Sequence, residues 1–436
     1  MSLDFTRLGR RLLSIQPLAL SSLGLRGAAM VGKFSFVLVA ALKMSPADLG
    51  RYGVATSLAM LIPGFVGIEA YQIVCRAIAN LEASDDEKAT YGSFTLAAAA
   101  VAFVSTLLVL WAMRWSPWAV ALGAAVVGSE HLGNELFRIL VAEGRRHAAL
   151  QCFSIRSGLW SLGLPILAVA GVVRGPWSLN LVLEAWLFSG LVGLLYAVSL
   201  PAAYRPSVRG FRALGGWLTG IWKSSAAWLA IAMSWRFIDS GPRLIAGLFL
   251  AAAEAGRFTF LNTISGIPTV VIKGVVEPMF FVDLAVLGNI EFRRRYFLTL
   301  GAIGGACVLL ATLLLFGYSI VAHRPLSATD WITFALLSGA SLVLNLSQAP
   351  HFILYANRHD RLIFYVSLLT VIIAAPVSCL AAWQGGRVGL SAATLFMALT
   401  LLGSKSLAAR LRVPKEFASA RRSAGVGVAL GEAPNG

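Results

Sequence analysis

The stretch ADLGRY at residues 47–52 recurs in degenerate form as AEAGRF at residues 253–258, 206 positions further along a chain of 436 residues. Each copy lies in a short turn between two apolar segments. In each following segment a proline, Pro63 or Pro268, comes about three helical turns in. An offset of 206 divides the chain nearly in half, so the sequence predicts a duplicated membrane fold with two parallel halves.

The composition indicates an all-α polytopic membrane protein. Hydrophobic residues make up 58% of the chain and charged residues 13%, with a mean hydropathy of +0.77, whereas soluble domains carry about 25% charged residues. Apolar runs of about 20 residues, long enough to span a bilayer, recur along the whole length. We predict about twelve transmembrane helices in two parallel six-helix repeats, at residues 21–42, 52–74, 91–113, 117–141, 148–172, 178–200, 224–250, 258–282, 296–321, 329–350, 362–384 and 388–410.

The net charge of +16 is distributed unevenly across the predicted membrane. With a cytoplasmic N-terminus, 21 Lys and Arg residues lie on the inner side, 7 on the outer side and 8 within the spans. By the positive-inside rule this bias predicts a multi-pass bacterial inner-membrane protein with both termini cytoplasmic. The charge is therefore interpreted as topology and contact with membrane lipids, and no nucleic-acid partner is predicted.

This topology divides the chain into five parts. We predict a basic cytoplasmic N-terminal segment, an N-terminal six-helix lobe, a cytoplasmic linker, a C-terminal six-helix lobe and a disordered cytoplasmic tail, at residues 1–20, 21–200, 201–223, 224–411 and 412–436.

The short loops argue against an enzyme. No predicted extramembrane segment exceeds about 25 residues, which leaves no room for a soluble catalytic or nucleotide-binding domain. The stretch GAAMVGK at residues 27–33 resembles a phosphate-binding loop, but Phe34 follows where that motif needs a hydroxyl, and the stretch lies in the first apolar segment. The four cysteines have no metal-ligand spacing, and neither a catalytic residue, a metal nor a cofactor is predicted.

Charged residues inside the spans give the candidate binding site, because a charge at the bilayer centre costs about 2.5–3.5 kcal/mol and tends to face a cavity or a partner. Several lie on single helical faces, and basic residues outnumber acidic ones in the C-terminal half. Excess cations favour an anionic substrate, and arginine suits phosphate. The predicted substrate-binding residues are Arg26, Lys33, Arg236, Arg243, Lys273, Asn345 and Gln348.

Each group also has a structural interpretation. Asp239 and Glu69 either neutralise nearby cations or couple transport to an ion. Lys273 could instead pair with Glu277 on its own helix. Two further features also have a purely structural interpretation. The polar residues 130–138 could clamp neighbouring helices, and Lys405 is expected to extend towards the lipid headgroups. The polar face of the tenth span either hydrogen-bonds to other helices or contacts sugar hydroxyls.

The turn SPADLGRYG at residues 45–53, its second copy and the twelve-span layout resemble the Wzx-type polysaccharide and O-antigen flippases of the multidrug/oligosaccharidyl-lipid/polysaccharide exporter superfamily. The resemblance implies two lobes around a cationic cavity. It implies that Arg26, Lys33, Arg236 and Arg243 meet the pyrophosphate of an undecaprenyl-pyrophosphate-linked oligosaccharide exported for O-antigen or exopolysaccharide synthesis.

As partners we expect this lipid-linked oligosaccharide, membrane lipids, a polysaccharide polymerase and a chain-length regulator. The alternative is an ion-coupled drug or metabolite antiporter of the same superfamily.

Overall fold

A computed structural model describes residues 17–273, 289–323, 325–357 and 359–412. Within these ranges the chain forms fourteen α-helices and no β-sheet, so the all-α prediction is confirmed. In chain order, helices α1 to α14 are Pro17–Lys43, Pro46–Val66, Tyr71–Ala79, Asp85–Ala112, Pro117–Ala142, Arg146–Val169, Leu179–Leu194, Val208–Phe249, Ala252–Ser265, Ile267–Val271, Asn289–Val321, Ala328–Leu346, Gln348–Ala356 and Asp360–Arg412.

Each of the twelve predicted spans falls on one or more of these helices. The second is divided between α2 and α3, and the tenth between α12 and α13. The eighth is divided between α9 and α10 as far as residue 273, and its residues 274–282 lie outside the described residues. The last two spans lie in α14, where Gly386 adopts a φ of 58° that only glycine tolerates readily and makes a sharp bend. Of the described helical stretches, seven are long and apolar enough to cross a bilayer. Charged and polar residues interrupt the apolar runs of α5 and α8.

The N-termini of several helices are fixed by serine side chains. The hydroxyls of six serines accept the backbone N–H three residues further on, at Ser45, Ser84, Ser116, Ser178, Ser207 and Ser327. Such caps satisfy backbone donors that a helix leaves unpaired at its start. In α4 and α12 an acidic side chain completes a reciprocal capping box.

The predicted linker, residues 201–223, is helical over most of its length. After a short 3₁₀ turn at Ala202–Tyr204, α8 begins behind its Ser207 cap and continues into the seventh span. Its early apolar residues, among them Trp217, pack against the N-terminal half. The Tyr204 hydroxyl donates to Glu143, and burial together with this carboxylate raises the pKa of Tyr204. The predicted N-terminal segment and C-terminal tail lie almost entirely outside the described residues.

The two copies of the duplicated motif lie against each other. Helices α2 and α9 begin at equivalent positions, Pro46 and Ala252, and they cross so closely that there is no space for side chains at the two motif glycines. A Cβ on Gly50 would lie 2.7 Å from the carbonyl oxygen of Ala252, and a Cβ on Gly256 would clash with the carbonyl of Pro46. The motif turns therefore close one end of the seam between the halves.

The acidic residues of the two motifs have different partners. Asp48 pairs with Arg51 of its own turn at 3.4 Å, whereas Glu254 pairs with Arg387 at 3.1 Å. Arg387 is buried at the start of the last span and also contacts the buried Asp330 at 3.1 Å. This end of the C-terminal half is thus held together by an ion-pair network that has no counterpart among the described contacts of Asp48.

The crossing predicts that Gly256→Ala will destabilise the protein by about 1–3 kcal/mol, because the added methyl group forces two backbones apart. The melting temperature in detergent should fall by several degrees. Gly305→Ala is the matched control, since Gly305 is an exposed helical position with open space around it. It should melt at or slightly above the wild-type temperature. A Gly256→Ala protein as stable as the control would contradict the close crossing.

A cationic cavity between the two halves

A cavity of about 650 Å³ lies between the halves. Its wall includes residues of α1, α2, α5, α6 and α7 from the N-terminal half and of α8, α9, α12 and α14 from the C-terminal half. Among the described residues, six basic and two acidic side chains line it: Lys33, Arg138, Arg156, Arg236, Arg243 and Lys273, with Glu130 and Asp239. The remainder of the wall is aromatic, aliphatic or hydroxylic. The site is therefore a predominantly cationic pocket.

The structure brings together four of the predicted basic residues. Lys33 of α1, Arg236 and Arg243 of α8, and Lys273 just beyond α10 all line the cavity. The Lys33 side chain is exposed to the cavity, and its ammonium nitrogen lies 5.9 Å from the centre of the Phe153 ring. The side chain of Arg26 lies outside the described residues, although its backbone belongs to α1.

Arg236 binds the N-terminal half across the seam. Its Nη2 donates to the Glu69 carboxylate at 2.7 Å, and its Nη1 donates to the carbonyl oxygen of Met60 at 3.1 Å. A Cβ on Gly64 would clash with the guanidinium, so the absent side chain at this position is what admits the arginine. Glu69 itself is not part of the cavity wall and is only 2% exposed.

Asp239 pairs with Lys273 at 2.9 Å, a contact between α8 and the segment after α10. The Asp239 carboxylate pairs with neither of the two neighbouring arginines that it was expected to neutralise. Arg236 takes Glu69 as its partner, and Arg243 lies 3.4 Å from the backbone carbonyl of Asp239 instead of its carboxylate. Glu277, the other candidate partner of Lys273, lies outside the described residues.

Asn345 and Gln348 are buried behind the cavity wall. The Asn345 side-chain amide donates to the Thr269 hydroxyl at 3.0 Å and to the carbonyl of Ser341 at 2.7 Å. The bond to Thr269 is the interhelical hydrogen bonding expected of polar residues within a bundle. Thr269 and Ser341 themselves line the cavity. Contact of Asn345 and Gln348 with a substrate stays a prediction.

Two arginines of the N-terminal half were not among the predicted binding residues. Arg156 donates to the Asn134 side-chain oxygen at 2.7 Å and to the backbone carbonyl of Glu130 at 3.2 Å. Arg138 pairs with Glu135 and stacks over the ring of Tyr71. Both arginines also line the cavity. Glu130, Asn134 and Arg138 therefore contact neighbouring helices and line the site at once, and the polar pattern at residues 130–138 was the signal for Arg138. For Arg156 the signal was a charge within a predicted span.

The expectation for Lys405 is wrong. Its side chain is fully buried, with the ammonium nitrogen 3.9 Å from the centre of the Trp235 ring and 3.4 Å from Nδ1 of His351. The aromatic face supplies a cation–π contact that stands in for the headgroups. The last turns of α14 pack against α8 and α13, so Lys405 faces the bundle interior.

Comparison with known proteins identifies the fold. No protein-family model matches the sequence, and no curated protein does either. An inward-facing structure of a multidrug resistance MATE family transporter of the MOP superfamily is 12% identical and has a TM-score of 0.53; the match covers 89% of this chain and 95% of that one. A MOP superfamily transporter from Pyrococcus furiosus, whose structure report describes a binding pocket of reverse polarity, is 13% identical over 90% of this chain and 95% of that one, with a TM-score of 0.43.

The chain is thus a multi-pass membrane protein with the fold of the MATE transporters. Its cavity lies between the halves that the sequence duplication defines.

The excess of cations predicts a charge preference for small reagents. In a protein whose four cysteines are replaced by serine, Thr56→Cys places a thiol on the cavity wall. An anionic methanethiosulfonate should modify this cysteine faster than a cationic one. The ratio of the anionic rate to the cationic rate should be about tenfold higher than at the exposed control Thr219→Cys. Equal ratios at the two positions would show that the cavity does not concentrate anions. The rates are measured by mass spectrometry of timed samples.

Proposed function

We propose that this protein is a transporter that flips an undecaprenyl-pyrophosphate-linked oligosaccharide across the bacterial inner membrane by alternating access. The product would supply O-antigen or exopolysaccharide synthesis. The observation that carries the proposal is the charge of the cavity wall, where six basic side chains stand against two acidic ones. The MATE-like fold supports the transporter class, and the charge supports the substrate class.

The charge excess persists when hidden partners are counted. Glu69 and Glu135 lie behind the wall and pair with Arg236 and Arg138, which leaves two more cations than carboxylates around the cavity. Uncompensated cations within a membrane are costly, so such an excess is retained where an anion binds. Four of the six cations are arginines, whose planar guanidinium donates two parallel hydrogen bonds to a phosphate group.

The positions of the cations suit a ligand held by both halves. Lys33 belongs to the N-terminal half and Arg243 to the C-terminal half, and both line the same cavity. A diphosphate bound between them would contact both halves throughout the transport cycle. In that cycle the end of the seam closed by the motif turns would open, and the opposite end would close. Arg26, on the same face of α1 as Lys33 by its spacing of seven, is proposed to extend this anion site.

The remaining roles follow from the same arrangement. Hydroxyl groups on the C-terminal wall, among them Thr269 and Ser341, would contact the sugars, with Asn345 and Gln348 supporting them. Asp239 and Glu69 are the carboxylates proposed for ion coupling. We place the protein in the inner membrane with cytoplasmic termini, beside a polysaccharide polymerase and a chain-length regulator, and assign it no enzymatic activity.

An ion-coupled drug or metabolite antiporter is the second candidate. The structure with a TM-score of 0.53 is described as a multidrug resistance transporter. Glu130 lines the cavity beside the stacked rings of Trp160 and Trp186, whose centres are 5.1 Å apart. A carboxylate next to aromatic rings suits an organic cation. This candidate predicts altered toxin sensitivity in a deletion strain whose surface polymer is unchanged.

The test is complementation of a deletion strain, with surface polysaccharide and lipid-linked oligosaccharides quantified together. The wild-type gene should restore surface polymer. Arg236→Ala should restore about 10% or less and let complete lipid-linked repeat units accumulate, because one charge-assisted phosphate contact is worth about 1.5–3 kcal/mol. Arg174→Ala, at an exposed arginine away from the cavity, is the matched control and should complement fully.

Full export by Arg236→Ala would remove the diphosphate assignment. Unchanged polymer and lipid intermediates in the deletion strain itself would remove the flippase proposal and favour the antiporter.

A further inference from the structure

We propose that the Glu69 carboxylate pairs with Arg236 in place of the transported anion. It would be displaced from Arg236 when a diphosphate binds. Glu69 would thereby set the affinity of the cavity and link ligand binding to the release of a bond between the halves. The inference rests on the proposed function, because it assumes that the cavity binds a phosphate-containing ligand.

The contacts of Arg236 carry the first step. Its side chain lines the cavity and is 22% exposed, yet its guanidinium donates to Glu69 and to the carbonyl of Met60 on the N-terminal side of the seam. A carboxylate and a phosphate group offer a guanidinium the same pair of acceptor oxygens. One donor that a ligand would use is therefore already engaged by an anion of the chain itself, and a second by a backbone carbonyl.

The backbone around Glu69 carries the second step. Helix α2 ends at Val66, and the two non-glycine residues Ile68 and Glu69 adopt φ values of 42° and 53° before α3 begins. Such left-handed conformations cost about 1–3 kcal/mol each and persist where surrounding structure demands them. Here the break places a buried carboxylate opposite a cavity arginine 167 positions further along the chain.

The energetics distinguish an internal competitor from a supporting residue. If Glu69 only oriented Arg236 for its ligand, removal of the carboxylate would weaken binding. If Glu69 competes with the ligand, removal frees the guanidinium and strengthens binding, because the ligand no longer has to replace a charge-assisted pair. The sign of the change in affinity therefore decides between the two roles.

Displacement would also loosen the seam. Glu69 belongs to the N-terminal half and Arg236 to the C-terminal half, beside a second contact in which the Ser240 hydroxyl lies 3.1 Å from the Met60 sulfur. A ligand that takes Arg236 from Glu69 removes an ion pair that holds the turn after α2 against α8. Ligand binding would thus favour rearrangement of the halves through its differential contacts in the two states.

The experiment measures binding of inorganic pyrophosphate to the purified full-length protein by isothermal titration calorimetry. Glu69→Gln should bind pyrophosphate at least about tenfold more tightly than wild type, consistent with the coupling energies of close charge pairs. The gain should vanish when Arg236→Ala is present in both proteins. Glu184→Gln is the matched control, because Glu184 is exposed, contacts Trp118 and does not line the cavity. It should leave the affinity unchanged.

Unchanged or weaker binding by a folded Glu69→Gln protein would overturn the inference while leaving the proposed function intact. If neither wild type nor variant binds pyrophosphate, the proposed function falls together with the inference. Should Glu69→Gln fail to fold, Glu69→Asp shortens the carboxylate arm and should give a smaller gain in affinity; a loss would count against the internal anion.

Cross-linking gives an independent readout. In the cysteine-free protein, the pair Met60→Cys and Ser240→Cys should form a disulfide readily without ligand, and pyrophosphate should slow its formation. A rate that does not respond to pyrophosphate in a protein that binds it would contradict the link to the seam.

Discussion

The close crossing of α2 and α9 at Gly50 and Gly256 is the constraint on which the rest of the structure depends. Because neither glycine has room for a Cβ, the two backbones touch there, and the cavity lies between the same two halves. The same crossing explains why the short motif occurs twice. A contact between two equivalent helices needs a small residue on each of them, so the duplicated sequence marks a contact between the halves.

Charged side chains around the cavity have nearby compensating groups, because an uncompensated charge is costly in a low-dielectric interior. Three of the cavity cations have carboxylate partners on other elements of the fold: Arg236 with Glu69, Lys273 with Asp239 and Arg156 with Glu130. Arg156 also donates to a side-chain amide oxygen and a backbone carbonyl, and Lys405 contacts an aromatic face and an imidazole. Such varied compensation allows many cations to be buried together while the wall remains net positive. The proposed diphosphate ligand would match that excess of positive charge.

Helical periodicity and hydropathy predicted much of this arrangement. The spacing of Arg236, Asp239 and Arg243 placed them correctly on one face of a helix, and the cavity wall contains all three. Pairing across helices could not be predicted in the same way, because Glu69 and Arg236 are 167 positions apart and meet only through the break after α2. Lys405 was misplaced for a related reason: proximity to a helix end indicates depth in the membrane, whereas packing against α8 and α13 decides which way the side chain faces. The helical continuation of α8 through the expected linker depended on one cap, Ser207, and on apolar contacts with the other half.

The fold is shared with a transporter described as a multidrug resistance transporter, so the substrate class depends on the cavity and not on the architecture. The most direct measurement is competition for the purified protein between undecaprenyl pyrophosphate and the lipophilic cation tetraphenylphosphonium, followed by native mass spectrometry. We expect the diphosphate lipid to bind and inorganic pyrophosphate to displace it, with no binding of the cation. Binding of the cation in place of the diphosphate lipid would contradict an anion-transporting cavity.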